Sequence, residues 1–450
     1  MIELTTEQMA AAMGAEVLGR GHGGVPARAE IDSREITGGE LFFGLTGSQT
    51  DGGSHAAAAL EAGAWGVVVT PQWAEGVAGS GGFVFSSPDP LLSLQMLARA
   101  WRRQLGAKVI GITGSVGKTS VKDITRALLP GRVHASSENF NTEIGLPLTI
   151  LEAPADTEML VLEMAMRGKG QITELASIAE PEVGVITNVG PVHVELLGSI
   201  EAVAAAKAEL IGGVGPDGVM IVPFEAGYLE PHVEGVPGLI RFGGEGDVRV
   251  VELDITAGAT RARIETLQGA EDFEFPFAEP HNLLNALAAI GAGVAAGFTP
   301  VELAARTDGI AFSRFRNEHI ELESGALIVN DCYNANPVSM RAALEYLAQV
   351  DRPRKLAVLG LMAELGPDEV RYHQEIGEIA RSLDVEIIGV GDLARSYEPD
   401  LKAGNPEEAA TLLMERLGPE TAVLVKGSRA AGLERVTELV TGARDQEGED

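Results

Sequence analysis

The 450-residue sequence has one cysteine, Cys332. That excludes an intrachain disulfide and any cysteine-cluster metal site, and a reducing compartment, the cytoplasm, is the simplest expectation. Positive charge is also scarce: 34 Lys plus Arg stand against 65 Asp plus Glu, for a net charge of -31. Such a chain should repel nucleic acid and anionic membranes, so a polyanionic substrate must enter a locally positive pocket. Long apolar runs are missing. The longest, Ala286 to Phe298, is too short and too rich in Gly and Ala to span a bilayer, and it reads as a buried helix. The N-terminus lacks a basic n-region, which argues against secretion, and no short-period repeat suggests a solenoid. The acidic ending Asp445 to Asp450 reads as a frayed tail.

What is present is a large apolar fraction, 45%, enough for two to four domains. The fold class expected is α/β with three domains. Residues 1–86 form a small mixed unit with a Thr-capped first helix, an Ala-rich helix over His55 to Ala64 and a strand over Gly66 to Thr70. Residues 87–314 alternate strands (Lys108 to Thr113, Met159 to Met164, Val183 to Asn188, Val219 to Val222) with helices, the pattern of a parallel sheet covered on both faces. Within this segment Val248 to Phe277 alternates with period two, an antiparallel appendage ahead of a helix near His281. Residues 315–450 repeat the strand-helix rhythm (Ala326 to Asp331, Lys355 to Gly360, Val385 to Gly391, Thr421 to Lys426) as a Rossmann-like doubly wound domain.

The strongest chemical signal is Gly111-Ile112-Thr113-Gly114-Ser115-Val116-Gly117-Lys118-Thr119-Ser120, between a strand and a helix over Val121 to Leu129. Such a P-loop aims backbone amides and a helix dipole at phosphate, puts Lys118 on the outer phosphates and offers the Thr119 hydroxyl to Mg²⁺. Ile112 occupies the position where the common Walker pattern has Gly, so the match is to the variant T-G-S-x-G-K-T. Ligands of parallel sheets collect beyond the carboxyl ends of the strands. There Glu163 ends one neighbouring strand, and Thr187-Asn188 leads into His193 after another. Thr119, Glu163 and His193 are therefore metal candidates. In the last domain Asp331 ends a strand, followed by the polar turn Tyr333-Asn334-Ala335-Asn336-Pro337 and by Ser339. Arg316, at the junction, has the planar fork that clamps phosphate.

Taken together these residues resemble the Mur ligases over nearly the whole chain. The phosphate loop, Asn139 to Pro147, Thr187 to His193, Ala206-Lys207-Ala208-Glu209 and His281-Asn282-Leu283-Leu284-Asn285-Ala286 are similar to family blocks in family order. Asp331 to Pro337 and Lys426-Gly427-Ser428-Arg429 resemble the branch that joins D-alanyl-D-alanine to a UDP-N-acetylmuramoyl-tripeptide. The resemblance implies an ATP- and Mg²⁺-dependent ligase that passes through an acyl phosphate. It assigns catalysis to Lys118, His193 and Lys207, the last as a carbamate that helps hold metal. It assigns nucleotide contacts to Gly114, Ser115, Gly117, Lys118, Thr119, Ser120, Asn282, Arg316 and Asp331. UDP contacts fall to Asp32, Ser33, Arg34 and Thr46, and other substrate contacts to Asn141, Thr142, Asn334 and Ser339, with Arg429 a further candidate. One departure is Ala165, where the family has Gly; its β-carbon crowds backbone near the metal but removes no ligand. No nucleic-acid partner and no membrane insertion are expected, and the expected state is a monomer.

Three other readings of the sequence compete with this one. Folylpolyglutamate synthase shares the phosphate loop, but its substrate lacks UDP, which leaves Asp32-Ser33-Arg34 without a purpose. A nucleotide-binding scaffold would have little need for Lys118, Glu163, His193 and Lys207 together. A P-loop kinase would transfer phosphate to a hydroxyl without an amine cosubstrate. Without the resemblance, Lys207 would be read as pairing with Glu209 or Glu201 on a solvated face.

Overall fold

A computed structural model describes residues 3–47, 50–137, 139–192, 194–256 and 258–442. His193 and the acidic tail lie outside these residues. The first helix, Thr6–Met13, opens as expected: the Thr5 hydroxyl accepts from the Gln8 amide, Gln8 reaches back to the Thr5 amide, and Gly14 closes the helix at φ +62°. The segment expected as one helix over His55 to Ala64 is a 3₁₀ turn, Gly52–His55, followed by a helix, Ala56–Glu61. Asp51 causes the split, because its carboxylate accepts from the Gly53 amide and caps the turn.

Four sheets follow along the chain. The first has five strands in the order Glu16–Gly19, Phe83–Ser86, Gly66–Val69, Leu41–Phe43, Ala29–Glu30, all parallel except Glu16–Gly19. The second has six parallel strands in the order Leu239–Phe242, Val219–Pro223, Val183–Ile186, Lys108–Thr113, Met159–Glu163, Val133–Ala135. Sequence reading finds the four central strands and misses both edges, which are short and partly exposed. The period-two segment is a three-stranded antiparallel sheet, Arg249–Thr256, Ala259–Thr266 and Gly269–Phe275. The fourth sheet carries an antiparallel edge, Glu318–Glu321, beside the parallel strands Leu327–Asn330, Thr421–Lys426, Arg354–Leu359, Glu386–Val390 and Leu401–Ala403.

Helix Pro90–Leu105 joins the first two sheets into one apolar core. Its buried Leu94, Leu97, Ala98 and Trp101 pack in a cluster that runs from Met9 and Phe85 to Leu146 and Leu162. Trp101 is 1% exposed and donates its indole N–H to Ala153 O, so truncation to Ala should cost about 3–5 kcal/mol. The opposite face of the central sheet packs on the helix Pro280–Ala295, which holds the apolar run read as a buried helix except for its last three residues, 296–298, and on Phe273 and Phe275 of the antiparallel sheet. The fourth sheet has separate cores on its two faces. No helix among the described residues is long and apolar enough to cross a membrane.

Candidate functional site

The phosphate loop sits where the strand order predicts, since Lys108–Thr113 lies between Met159–Glu163 and Val183–Ile186. Two neighbours shape it. Thr113 Oγ1 donates to Met164 O at 2.8 Å, and the segment after Ile186 holds the other side. There Asn188 accepts the Ser115 amide on its backbone oxygen (3.1 Å) and the Val116 amide on Oδ1 (2.9 Å), and Thr187 Oγ1 donates to Val116 O at 2.5 Å. Those two loop amides are thus occupied. The amides of Lys118, Thr119 and Ser120 precede the first intrahelical bond, Val121 to Gly117 O, and are the ones available to an anion. Gly114 has φ +153°, and a β-carbon there would lie 1.9 Å from Thr187 Oγ1; one at Gly117, φ +83°, would lie 2.5 Å from Asn285 Oδ1. Neither position admits a side chain without displacing the loop.

Glu163 is 2% exposed and organises the centre. Its Oε2 accepts from the Thr119 hydroxyl at 2.8 Å and its Oε1 from Asn141 Nδ2 at 2.9 Å, while its amide donates to Ser136 Oγ. The two metal candidates therefore touch, and Asn141 orients the carboxylate. Thr142 is exposed, its hydroxyl accepting from the Gly145 amide at 3.4 Å. Lys118 donates to Gly114 O at 3.0 Å. Burial pushes its pKa down; the Glu163 charge opposes that and the Arg316 charge adds to it. Lys207, on helix Ile200–Gly213, is 2% exposed, and burial, followed by the charge of Lys118, holds it well below an ordinary lysine. The solvated-face reading of Lys207 fails here. Glu209 instead accepts from the Gly170 and Thr173 amides at the start of helix Gln171–Ala179.

The fourth sheet brings further residues to the same place. Asp331 pairs with the buried Lys426 at 2.5 Å, and Lys426 also donates to Asn334 O. The Arg316 guanidinium lies 4.3 Å from the Tyr333 ring centre, a cation–π contact. Asn282, 1% exposed, bonds Glu279 and Asn285, both at 3.3 Å. Beside it His281 is held below its ordinary pKa by burial, against the charges of Asp331 and Glu279. Glu279 would be raised by burial, but hydrogen bonds from His319 and Asn317 outweigh this and hold it at about 2.

Other sequence candidates have local tasks. Ser339 forms a capping box with Asn336 at the head of helix Pro337–Gln349, and Asn334 Oδ1 accepts from the Ala335 amide. Asp32 caps the 3₁₀ turn Ser33–Glu35 and is held at about 2, first by the side-chain hydrogen bonds of Arg34 and then by the Arg34 amide. Thr46 is exposed and bridges to Asp51. No hydrogen bond among the described residues links these first-sheet residues to the phosphate loop.

Sequence reading quotes Asn188 at a strand end but gives it no role, and it misses Ser136 and a buried pair behind the loop. Lys122 and Asp123, 2.8 Å apart, continue the phosphate-loop helix, and Asp123 accepts from the amide and hydroxyl of Ser313, both at 2.9 Å. Adjacent charges on a helix read as a solvated face; only the position of Ser313 shows otherwise.

A strand, a phosphate loop with its lysine, a neighbouring carboxylate and a second buried lysine define a nucleotide-dependent ligase of the Mur type. The chain belongs to the Mur ligase family: the Mur ligase middle domain matches residues 112–293 and the Mur ligase, glutamate ligase domain residues 315–429. Among its relatives is the UDP-N-acetylmuramoyl-tripeptide:D-alanyl-D-alanine ligase of Bacillus subtilis (strain 168), 35% identical over 90% of this chain and 91% of that protein. The crystal structure of MurF ligase from Thermotoga maritima in complex with ADP superposes with a TM-score of 0.83 at 30% identity, covering 94% and 98% of the two chains. The UDP-N-acetylmuramoylalanyl-D-glutamyl-2,6-diaminopimelate:D-alanyl-D-alanyl ligase from Acinetobacter baumannii superposes with a TM-score of 0.87 at 26% identity, covering 97% and 98%. A folylpolyglutamate synthase from Mycobacterium tuberculosis shares the fold at 18% identity over 79% of this chain, so that alternative is set aside.

Proposed function

We infer that this protein is an ATP-dependent ligase that joins D-alanyl-D-alanine to a UDP-N-acetylmuramoyl-tripeptide in the synthesis of the peptidoglycan precursor. The observation that carries the reading is the Thr119 hydroxyl bonded to the Glu163 carboxylate beside Lys118 at the head of the phosphate-loop helix, with the charges of Glu163 and Arg316 acting on Lys118 and that of Lys118 on Lys207, in a chain of net charge -31. Burial disfavours the charge of both lysines, and the charge of Lys118 further disfavours that of Lys207. A nucleotide supplies the missing negative charge, so the pocket is electrostatically complete only when polyphosphate is bound.

A carboxylate is a poor electrophile at neutral pH. In the proposed reaction the terminal tripeptide carboxylate attacks the γ-phosphate of ATP, giving an acyl phosphate and ADP. The amine of D-alanyl-D-alanine then attacks the activated carbonyl, loses its extra proton and expels phosphate. Lys118 and the free amides of the helix N-terminus stabilise charge on the phosphoryl oxygens. Arg316 and Asp331 approach the nucleotide from the fourth sheet and Asn282 from the helix Pro280–Ala295.

The residues fit Mg²⁺. The Thr119 hydroxyl and the Glu163 carboxylate supply two adjacent hard oxygens, and an ion of this kind takes its remaining ligands from phosphate and water. Bound there, it would neutralise charge between the phosphates. Lys207 suits the carbamate role, because CO₂ adds only to a neutral amine and burial favours that form. His193 is proposed as a further ligand by resemblance alone. Mass spectrometry of the product tests the reading. It should weigh the sum of tripeptide and dipeptide less one water, with one ADP and one phosphate formed per product; AMP and pyrophosphate, or no joined product, would refute it.

A further inference from the structure

The chain crosses from the domain of the central sheet to the fourth sheet through residues 310–317 and enters strand Glu318–Glu321. Arg316 sits in this crossing between two left-handed non-glycine residues, Phe315 at φ +60° and Asn317 at φ +51°. Asn tolerates that region, but a bulky residue such as Phe keeps it only where its surroundings impose it. Here the Tyr333 amide donates to Phe315 O at 3.2 Å, and the Arg429 guanidinium lies 5.2 Å from the Phe315 ring centre. The backbone therefore sets the direction of Arg316, whose charge acts on Lys118 of the phosphate loop.

Two buried carboxylates of the central-sheet domain tie the crossing down on either side of Arg316. Ser313, three residues before it, donates its amide and hydroxyl to Asp123 of the phosphate-loop helix, both at 2.9 Å. His319, three residues after it, places Nε2 3.0 Å from Glu279 Oε1, and its ring stacks on Tyr346 with centres 5.8 Å apart. Asp123 has the adjacent Lys122 to offset its burial. Glu279 has no such neighbour in sequence: its side chain is fully buried, and although it precedes helix Pro280–Ala295 its carboxylate caps none of that helix's amides. A buried carboxylate is unfavourable unless it is paired, so its partners explain its presence.

Those partners face two ways. Oε1 meets His319, while Oε2 accepts from Asn282 Nδ2 at 3.3 Å, and Asn282 Oδ1 accepts from Asn285 Nδ2 at 3.3 Å. Asn285 Oδ1 lies 2.5 Å from where a β-carbon on Gly117 would stand. Glu279, Asn282 and Asn285 are three residues apart, so they follow one helix face from the crossing to the phosphate loop. We propose that Glu279 is a positioning residue for the nucleotide: it registers the crossing against the phosphate loop and so holds Arg316 where its guanidinium meets phosphate. The inference rests on the ligase reading above. A carboxylate touching phosphate would repel it, so Glu279 acts through Arg316, by keeping that side chain preorganised.

Calorimetric binding of the ATP analogue AMP-PNP with Mg²⁺ tests this on wild type, Arg316→Ala, Glu279→Gln, His319→Ala and the two double variants that include Arg316→Ala. Glu279→Gln keeps the volume and an acceptor for Asn282 but removes the charge opposite His319. Each single change should weaken binding ~10-fold or more, as for loss of one charge-assisted contact. Each double variant should bind within ~3-fold of Arg316→Ala, because Glu279 and His319 act through that arginine. A merely structural role would leave the losses independent and multiply them to ~100-fold. The His319 side chain is 33% exposed, so His319→Ala decides the matter if Glu279→Gln does not fold. Multiplied losses, or wild-type affinity in any single variant, would overturn this inference alone. No binding of AMP-PNP and no joined product with wild type would overturn the ligase reading and this inference with it.

Discussion

The Thr119 hydroxyl donates to Glu163 Oε2 at 2.8 Å, joining the first turn of the phosphate-loop helix to the end of the neighbouring strand. Glu163→Gln preserves the volume but removes the anion. We expect kcat to fall ~10²- to 10³-fold, as for loss of one electrostatic stabiliser, with a higher Mg²⁺ requirement and a preserved circular dichroism spectrum. Turnover within a few-fold of wild type would show that Glu163 is not at the reacting centre.

Lys207 should trade stability for function. Its folded pKa lies below that of an exposed lysine, so between the two values the unfolded chain binds more protons and stability rises with pH, levelling off above about 10.4. Lys207→Met in CO₂-free buffer should therefore resist urea better than wild type at pH 7, by a margin that narrows as the pH rises towards 10, and it should be inactive. Lys207→Arg should also be inactive, since a guanidinium does not take up CO₂. Labelling with ¹³C-bicarbonate should give wild type a carbamate carbon resonance that Lys207→Met lacks.

Lys122 and Asp123 are 3% and 6% exposed. Asp123→Ala strands a buried ammonium and deprives Ser313 of its acceptor, so urea denaturation should show a loss of about 3–5 kcal/mol. Lys122→Met combined with Asp123→Leu should recover most of it. A double variant as unstable as the single one would mean that Ser313, not the ion pair, carries the effect.

Gly114→Ala would put a β-carbon 1.9 Å from Thr187 Oγ1. The loop must move, and nucleotide binding measured by calorimetry should weaken more than ~10-fold, about 1.4 kcal/mol. Pairing it with Thr187→Gly should restore part of the loss; no restoration would place the strain in the backbone torsion instead.

The parts of the fold that repeat one physical rule were legible in advance. Buried strands such as Lys108–Thr113 and Thr421–Lys426 are near-continuous apolar runs, and the runs mark their bounds to the residue. Edge strands such as Val133–Ala135 and Leu401–Ala403 are short and partly exposed and carry no such run. In the site, Thr119 and Glu163 could be placed together because ligands gather at strand ends. The bonds that the Met362 and Ala363 amides donate to His373 Nε2 and Ser428 Oγ span 11 and 65 residues of sequence, and no local pattern marks them. Polar turns at helix starts serve binding and capping alike, so the local bonds of Ser339 and Asn334 do not separate the two roles.

The central claim is coupled use of three substrates, and the most direct measurement is ADP release with UDP-N-acetylmuramoyl-tripeptide alone, with D-alanyl-D-alanine alone, and with both. Sustained turnover is predicted only with both, and it should be lost in Lys118→Ala by ~10²- to 10³-fold in kcat. Equal ADP release without the dipeptide, or wild-type turnover in Lys118→Ala, would contradict the account.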